Sequence, residues 1–114
     1  MTDRNDPDYF YVDAKLPDYL NNILEATRSP AAYGLPEFEG ELECGAPAED
    51  FERIMHFAKQ QATRAGRKYM MPEDIRGAVE QTLPLTLILS QRAEAEGREV
   101  GDIVRRILDF IETP

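Results

Sequence analysis

The amino-acid sequence predicts a mainly α-helical domain in which four helices surround one core, with a small two-stranded β ribbon. Three observations lead to this prediction. The chain has 114 residues, a common length for one domain, and 42% of them are hydrophobic. Apolar residues recur at helical spacing in four segments, which proline and glycine separate. One short segment instead alternates apolar and acidic residues, as a half-buried strand does.

The first helix follows a polar lead-in. Residues 1–11 are predicted to be a lead-in or linker, so that the domain spans residues 12–114. Asp13 is the predicted N-cap, and Pro17 lies in the first turn, where proline is tolerated. Ser29-Pro30 is predicted to end the helix, because a residue before proline avoids the α conformation. The apolar stripe consists of Leu16, Tyr19, Leu20, Ile23 and Leu24.

The predicted ribbon pairs residues 38–44 with residues 85–89. In the first of these segments, Phe38, Leu42 and Cys44 are expected to point inwards, while Glu39, Glu41 and Glu43 are expected to face water. A single strand needs a partner, and residues 85–89 alternate in part. Cys44 is interpreted as a small buried thiol, since free cysteine is among the most buried residue types.

The second helix is predicted over residues 48–65, after a turn at Gly45-Ala46-Pro47. Glu49 and Asp50 lie in its first turn, where the helix dipole favours acids, and Gly66 is the predicted stop. Its inner stripe consists of Phe51, Ile54, Met55, Ala58, Ala62 and Ala65.

The third and fourth helices are predicted from their starts and their apolar faces. The third helix starts at Pro72-Glu73-Asp74, and Pro84 is predicted to end it. The last helix follows a polar connection at residues 91–99. The two inner faces consist of Ile75, Ala78, Val79 and Leu83, and of Val100, Ile103, Val104, Ile107, Leu108 and Ile111.

Charge and hydropathy exclude several classes of protein. Thirteen Lys and Arg against 22 Asp and Glu give a net charge of −9, which disfavours general nucleic-acid binding. No apolar stretch approaches the roughly 20 residues of a membrane helix, and no signal peptide opens the chain. We therefore expect a cytoplasmic protein with no membrane partner. A single cysteine excludes an internal disulfide and a cysteine-rich zinc site.

The chain lacks a recognisable catalytic set. The phosphate-binding pattern G-x-x-x-x-G-K-[ST] does not occur, so the chain alone is predicted not to be an enzyme. His56, the single histidine, has no evident partners and is interpreted as a surface or structural residue. No metal ligands and no cofactor bound by this chain alone are predicted. Arg64, Arg67 and Lys68 form a small basic cluster, interpreted as matching a helix C-terminus, with a phosphate or partner contact as the alternative.

An ordered set of motifs resembles the C-terminal lid domain of MoxR-type AAA+ ATPases. In that family a lid helix ends in A-T-R, G-A-S-x-R opens the next helix, and G-R-x-Y-V and x-P-E-D-V follow. The similar segments here are Ala26-Thr27-Arg28, Gly45-Ala46, Gly66-Arg67-Lys68-Tyr69-Met70, Met71-Pro72-Glu73-Asp74-Ile75 and, before the last helix, Ala93-Glu94-Ala95-Glu96-Gly97. The resemblance covers about residues 12–111.

The resemblance implies a four-helix AAA+ lid-type bundle. Such a lid packs over the nucleotide site of a core domain, absent here, and couples the ATP state to subunit contacts in a chaperone-like ATPase. It implies a parent protein that uses ATP and Mg and hydrolyses ATP. It also implies a hexameric parent, with neighbouring subunits and von Willebrand A domain proteins as partners.

The resemblance also implies a nucleotide-facing site, which departs from the family pattern in this chain. The site comprises Gly45, Ala46, Glu49 and Arg53. The arginine of G-A-S-x-R is the family's sensor 2 residue, and Glu49 stands at that position, where a carboxylate would repel phosphate. Arg53, one helical turn further on, is the candidate substitute. Leu85-Thr86 stands where the family commonly has His-Arg.

Two alternatives remain open. Ala65-Gly66-Arg67-Lys68 followed by Pro72-Glu73-Asp74-Ile75 also resembles the loop and third helix of a histone fold. The chain would then be a free-standing helical protein-interaction module that forms a tight homodimer. Alternatively, the glutamate at position 49 marks a degenerate lid that acts as a stand-alone regulator.

Overall fold

The computed structural model describes residues 9–114 and confirms a mainly helical fold with a small antiparallel sheet. Within these residues the long helices are α1 Lys15–Arg28, α2 Asp50–Arg64, α3 Pro72–Thr86 and α5 Val100–Phe110, and the short helix α4 spans Gln91–Ala95. Two 3-10 turns, Pro30–Tyr33 and Pro36–Phe38, follow α1, and the strands are β1 Leu42–Cys44 and β2 Ile88–Leu89.

Helix α1 buries the apolar stripe that its sequence predicts, and every member of the stripe is at most 3% exposed. The prediction of Asp13 as the N-cap is wrong by one residue. The N-cap position is Ala14, and the Asp13 carboxylate accepts a hydrogen bond from the backbone N–H of Lys15 at 2.8 Å. The helix ends at Arg28, and Ser29-Pro30 leads into the first 3-10 turn.

Helices α2 and α3 form an antiparallel hairpin whose turn is closed by glycine, as predicted. Gly66 adopts φ of +81°, and its N–H donates to the Thr63 carbonyl while the Arg67 N–H donates to the Ala62 carbonyl. This pattern of two bonds satisfies the free carbonyls of a helix end. Of the predicted inner stripe of α2, Ile54, Ala58 and Ala62 are fully buried, whereas Ala65 is exposed.

The hairpin is fastened at both ends by polar side chains. At the turn, Arg67 donates two hydrogen bonds to the Asp74 carboxylate, at 2.8 and 2.9 Å. Asp74 also accepts from the Met71 N–H, which caps the start of α3. At the other end, the Thr86 hydroxyl donates to the Asp50 carboxylate at 2.7 Å. The Arg67 hydrogen bond lowers the pKa of Asp74 and raises the pKa of Arg67.

The prediction that Pro84 ends α3 is wrong, because the helix continues to Thr86. Proline removes the hydrogen bond to the residue four positions earlier and crowds that carbonyl. Here the loss falls in the last turn, and the Leu87 N–H still bonds to the Leu83 carbonyl at 2.9 Å. The two extra helical residues bring Thr86 to the start of α2 and leave Leu85 in solvent.

The ribbon forms between β1 and β2, but it is shorter than predicted, because Phe38 belongs to a 3-10 turn and Leu85 and Thr86 belong to α3. Its burial also differs from the prediction in two places. Cys44 is exposed, because it pairs with exposed Ile88 across an irregular register. Glu41, predicted to face water, lies in the turn that precedes β1 and is buried. Its carbonyl accepts from the Ser90 N–H, and its carboxylate lies 3.6 Å from the Arg98 guanidinium.

The connection at residues 91–99 contains helix α4, which the sequence did not predict. The Ser90 hydroxyl accepts from the Ala93 N–H at 3.1 Å, and Gly97, at φ of +79°, ends the helix. Ala93 is fully buried, so this one-turn helix anchors the approach to α5. Helix α5 itself buries Ile103, Val104, Ile107 and Leu108, as predicted.

The last residues of the predicted lead-in contact the domain. Tyr11 forms a parallel bridge with Tyr69: the Tyr11 N–H donates to the Lys68 carbonyl, and the Met70 N–H donates to the Tyr11 carbonyl. Residues 1–8 of the predicted lead-in lie outside the described residues. None of the helices in residues 9–114 is long and apolar enough to cross a membrane.

Candidate functional site

The predicted site begins with Gly45-Ala46, which the structure fixes against the end of α1. The Ala46 N–H donates to the buried Thr27 hydroxyl at 2.9 Å, and the Ala46 carbonyl accepts from the Arg28 guanidinium at 2.8 Å. The Thr27 hydroxyl in turn donates to the Leu24 carbonyl at 2.6 Å. Two motifs that are distant in sequence, A-T-R and G-A, are therefore parts of one hydrogen-bonded contact.

Glycine at position 45 follows from the closeness of this contact. A β-carbon there would lie 2.8 Å from Arg28 Cγ and 2.9 Å from both the Arg28 Cα and the Thr27 carbonyl oxygen. Two of these three atoms belong to the backbone, which cannot move aside as a flexible side chain would. The sequence identified Gly45 through a motif, and the structure supplies the steric reason.

Glu49 occupies the N-cap position of α2 and is exposed to solvent. Its side chain makes no capping hydrogen bond. The first backbone N–H groups of the helix are already occupied, since Asp50 donates to the Pro47 carbonyl and Phe51 to the Ala48 carbonyl. These two groups are thus not free to bind a phosphate, although a helix start often does so.

Arg53, the candidate substitute for a sensing arginine, is paired with Asp50. The guanidinium lies 3.1 Å from Asp50 Oδ1, and the other carboxylate oxygen of Asp50 accepts from Thr86. The Asp50 side chain is completely buried, whereas the Arg53 side chain is 58% exposed. A buried carboxylate is unfavourable unless it has such partners, so Arg53 stabilises the buried Asp50 at this position.

Asp50 and Thr86 are the residues of this region that sequence reasoning missed. The sequence placed Asp50 in the first turn of α2 without a partner, whereas in the structure its side chain is completely buried and accepts a hydrogen bond from Thr86 of α3. Pro84 made this contact hard to predict, because a helix that ended at Pro84 would not place Thr86 at the start of α2. The G-A motif, the departure at 49 and the departure at 85–86 all lie at one junction of α1, α2 and α3.

The residues present do not fit a direct contact with a triphosphate. The two cations at the junction, Arg28 and Arg53, are engaged with Glu25 and Asp50 respectively. Glu49 and Glu52 add exposed negative charge at the start of α2, which would repel phosphate. The junction can therefore pack against another protein surface, but its side chains are poorly suited to sense a nucleotide through charge.

Other candidate groups carry no evident chemistry. His56 is exposed on α2 and lies 3.2 Å from the Gln60 side chain. Among residues 9–114, no three His, Cys, Asp or Glu side chains are grouped so that they could hold a metal ion. Of the glutamates before and within β1, Glu41 is buried, and the others, Glu37, Glu39 and Glu43, are exposed.

Comparison with known proteins shows which proteins this chain is similar to. No protein-family model matches the chain. Chaperone MoxR1 of Mycobacterium tuberculosis (strain ATCC 25618 / H37Rv) is 26% identical over 104 residues, which is 91% of this chain. A crystal structure from Cytophaga hutchinsonii ATCC 33406, of a protein provisionally named an ATPase, superimposes with a TM-score of 0.87 over 90% of this chain at 31% identity. The chain is related to the C-terminal region of MoxR-family AAA+ ATPases.

The relationship to the MoxR family concerns one part of a longer protein. The chain spans 28% of MoxR1 and 31% of the solved chain. The resemblance predicted from the ordered motifs is confirmed, and so is the lid-type helical fold.

Proposed function

We propose that the chain is the lid domain of a MoxR-type AAA+ ATPase and spans residues 12–114. It packs over the nucleotide site of a core domain and couples the ATP state of that site to subunit contacts. The observation that carries the proposal is the contact of Thr27-Arg28 with Gly45-Ala46, because it joins two family motifs within a fold related to an ATPase. ATP hydrolysis, with ATP and Mg as cofactors, belongs to the parent protein, and this chain alone is not an enzyme.

The junction of α1, α2 and α3 is the surface that we assign to the core domain, with Gly45, Ala46, Glu49 and Arg53 on its nucleotide side. The pairing of Arg53 with Asp50 supports a lid that responds by packing and not by a cation on the phosphates. Leu85, which is 85% exposed beside this junction, would supply apolar contact area.

The proposed partners follow the MoxR family. They are the AAA+ core domain, neighbouring subunits of a hexamer and von Willebrand A domain proteins, all in the cytoplasm. Nucleic acid and membrane are not among them, since the net charge of −9 disfavours binding to phosphate-rich surfaces.

Two measurements test the lid assignment. An antibody raised against this chain should detect, in the native cells, a polypeptide much larger than 13.0 kDa that carries the missing phosphate-binding loop. Purified chain should hydrolyse ATP at background rate. Robust hydrolysis by the purified chain would contradict the proposal.

A charge restoration tests the assigned surface. In the larger polypeptide, Glu49→Arg should tighten ATP binding or speed ATP hydrolysis if position 49 faces phosphate. The matched control is Glu94→Arg, which changes the charge equally at an exposed position of α4, outside the junction. If both variants behave like the parent, position 49 does not face the nucleotide.

A second candidate is a degenerate lid that works as a stand-alone regulator, and Glu49 together with the Arg53–Asp50 pair favours it. Under this hypothesis the endogenous polypeptide has a mass near 13.0 kDa and binds its partners without any attached core. The same antibody measurement therefore separates the two candidates.

A further inference from the structure

Positive charge is concentrated in one stretch of an otherwise acidic chain. Residues 53–72 contain five of the 13 Lys and Arg, and all 22 Asp and Glu lie outside this stretch. The candidate site uses Arg53, and Arg67 is paired with Asp74. Lys59, Arg64 and Lys68 are exposed near the end of α2, opposite to the end that carries the candidate site.

Aromatic side chains, two of them exposed and two half-buried, accompany these cations. Together they form what we name the basic-aromatic surface: Tyr9, Phe10, Tyr11, Lys59, Lys68 and Tyr69. Tyr11 is 51% and Tyr69 is 47% exposed, and the Lys59 ammonium lies 5.4 Å from the centre of the Phe10 ring. Two shallow grooves of about 440 and 450 Å³ are lined largely by these residues, and among residues 9–114 no acidic side chain lines either groove.

The same surface contains a backbone edge that can accept another strand. Tyr11 directs its N–H and carbonyl towards residues 68–70. In an extended chain, alternate residues direct these groups to opposite edges, so Phe10 and Val12 direct theirs away from residues 68–70. Within residues 9–114, neither Phe10 nor Val12 forms a backbone hydrogen bond. Such an edge is a template for pairing with a further strand.

We propose that the basic-aromatic surface binds an extended acidic segment of another polypeptide, which adds as a strand beside residues 9–12. The free edge supplies main-chain hydrogen bonds, the tyrosines supply contact area, and Lys59 and Lys68 pair with the carboxylates of the segment. The backbone edge selects a peptide over a nucleic acid, because a nucleic acid has no main chain that can pair with it.

The net charge of −9 does not prevent this contact. Among the described residues, Asp13 lies beside the surface, where its carboxylate accepts from the Tyr11 hydroxyl at 3.5 Å, against the two exposed lysines Lys59 and Lys68. At physiological ionic strength the screening length is about 8 Å, so acids on distant parts of the chain are largely screened. The axial rise of α2 places Lys59 about 14 Å, and the end of the helix about 21 Å, from the start of that helix. An acidic segment can therefore bind while a core domain covers the other end, and the inference stands independently of the lid assignment.

Fluorescence anisotropy with a defined probe tests the proposal. The probe is a fluorescein-labelled peptide in which glutamate alternates with valine, titrated with the full chain. We expect saturable binding that weakens as salt is added. The double variant Lys59→Glu/Lys68→Glu should weaken binding roughly tenfold or more, since two attractions become repulsions. The same peptide N-methylated at alternate residues should not bind, because it cannot pair with the edge.

The control variant Arg92→Glu/Arg105→Glu reverses two exposed cations on α4 and α5 and changes the net charge equally. It should bind like the parent chain, and circular dichroism should show that both double variants fold. Three results would overturn the proposal: no saturable binding of the probe, equal weakening by the two double variants, or equal binding of the N-methylated peptide. Tighter binding of a single-stranded oligonucleotide that depends on the same lysines would assign the surface to nucleic acid instead.

Discussion

Thr27 illustrates how a single side chain determines the geometry of the candidate site. Its hydroxyl accepts from the Ala46 N–H and donates to the Leu24 carbonyl, and the side chain is buried. A buried N–H that loses its acceptor cannot turn to water for another one. The placement of Gly45-Ala46 therefore depends on this hydroxyl together with the Arg28 guanidinium, which donates to the Ala46 carbonyl.

Replacing Thr27 with valine should destabilise the chain by about 1–3 kcal/mol, because the Ala46 N–H is left buried without a partner. Thr27→Ser keeps the hydroxyl and removes one methyl group, so its cost should be about 0.8 kcal/mol. Urea denaturation measures both. Equal costs for the two variants would show that the hydroxyl contributes little.

The pair Arg67–Asp74 predicts how stability changes with pH. Because hydrogen bonding to Arg67 lowers the pKa of Asp74 in the folded chain, its carboxylate stabilises the fold at all pH values above its unfolded pKa of about 3.9. This stabilisation is lost as pH falls below that value and through the folded pKa.

Thermal unfolding followed between neutral pH and the acid range should show this loss, and the variant Asp74→Asn should show a shallower dependence. The variant should also be less stable at neutral pH, since it weakens the bonds from Arg67. Asp102→Asn is a suitable control, because Asp102 is exposed on α5 and its pair with Arg105 is within one helix. Identical acid profiles for Asp74→Asn and the parent chain would contradict the assignment.

At the scale of elements, the sequence predicted the long helices because each carries a continuous apolar face. Elements that depend on contacts from elsewhere were less predictable. Glu41 alternates like a solvent-facing residue but is buried in the turn before β1. Helix α4 has too few residues to show a period. The position of Asp50 was equally hidden, because its partner Thr86 lies beyond a proline that normally ends a helix.

The helix stop at Gly66 can be tested without steric interference. A β-carbon there meets no atom within 4 Å, so Gly66→Ala reports the cost of φ at +81° alone. We expect a loss of about 1–2 kcal/mol. Gly66→Asn should cost less, because asparagine adopts this conformation more readily. If alanine and asparagine prove equally neutral, the turn is less constrained than the structure indicates.

At the scale of the whole molecule, the motifs that indicated the family are also contacts that hold the chain together. Thr27-Arg28 binds Gly45-Ala46, and Arg67 of G-R-x-Y binds Asp74 of P-E-D. This is why their order along the sequence was sufficient to predict a lid-type fold. The role of position 49 could not be predicted in the same way, because an exposed side chain is not constrained by the core.

The whole chain should be a monomer. The core is buried within one copy, and a net charge of −9 disfavours self-association. Sedimentation velocity at low and high salt should give a mass of 13.0 kDa in both cases. A tight homodimer would contradict this expectation and would revive the histone-like alternative.

The polar contacts that fasten the two ends of the α2–α3 hairpin have a mechanical consequence. With Thr86 bound to Asp50 at one end and Arg67 bound to Asp74 at the other, the helices cannot splay apart at either end without breaking a buried polar contact. The hairpin should therefore turn as a single lever arm. A rotation of about 5° imposed at the start of α2 would displace the opposite end by roughly 2 Å. A small rotation at the start of α2 would then produce a larger displacement at the opposite end of the hairpin.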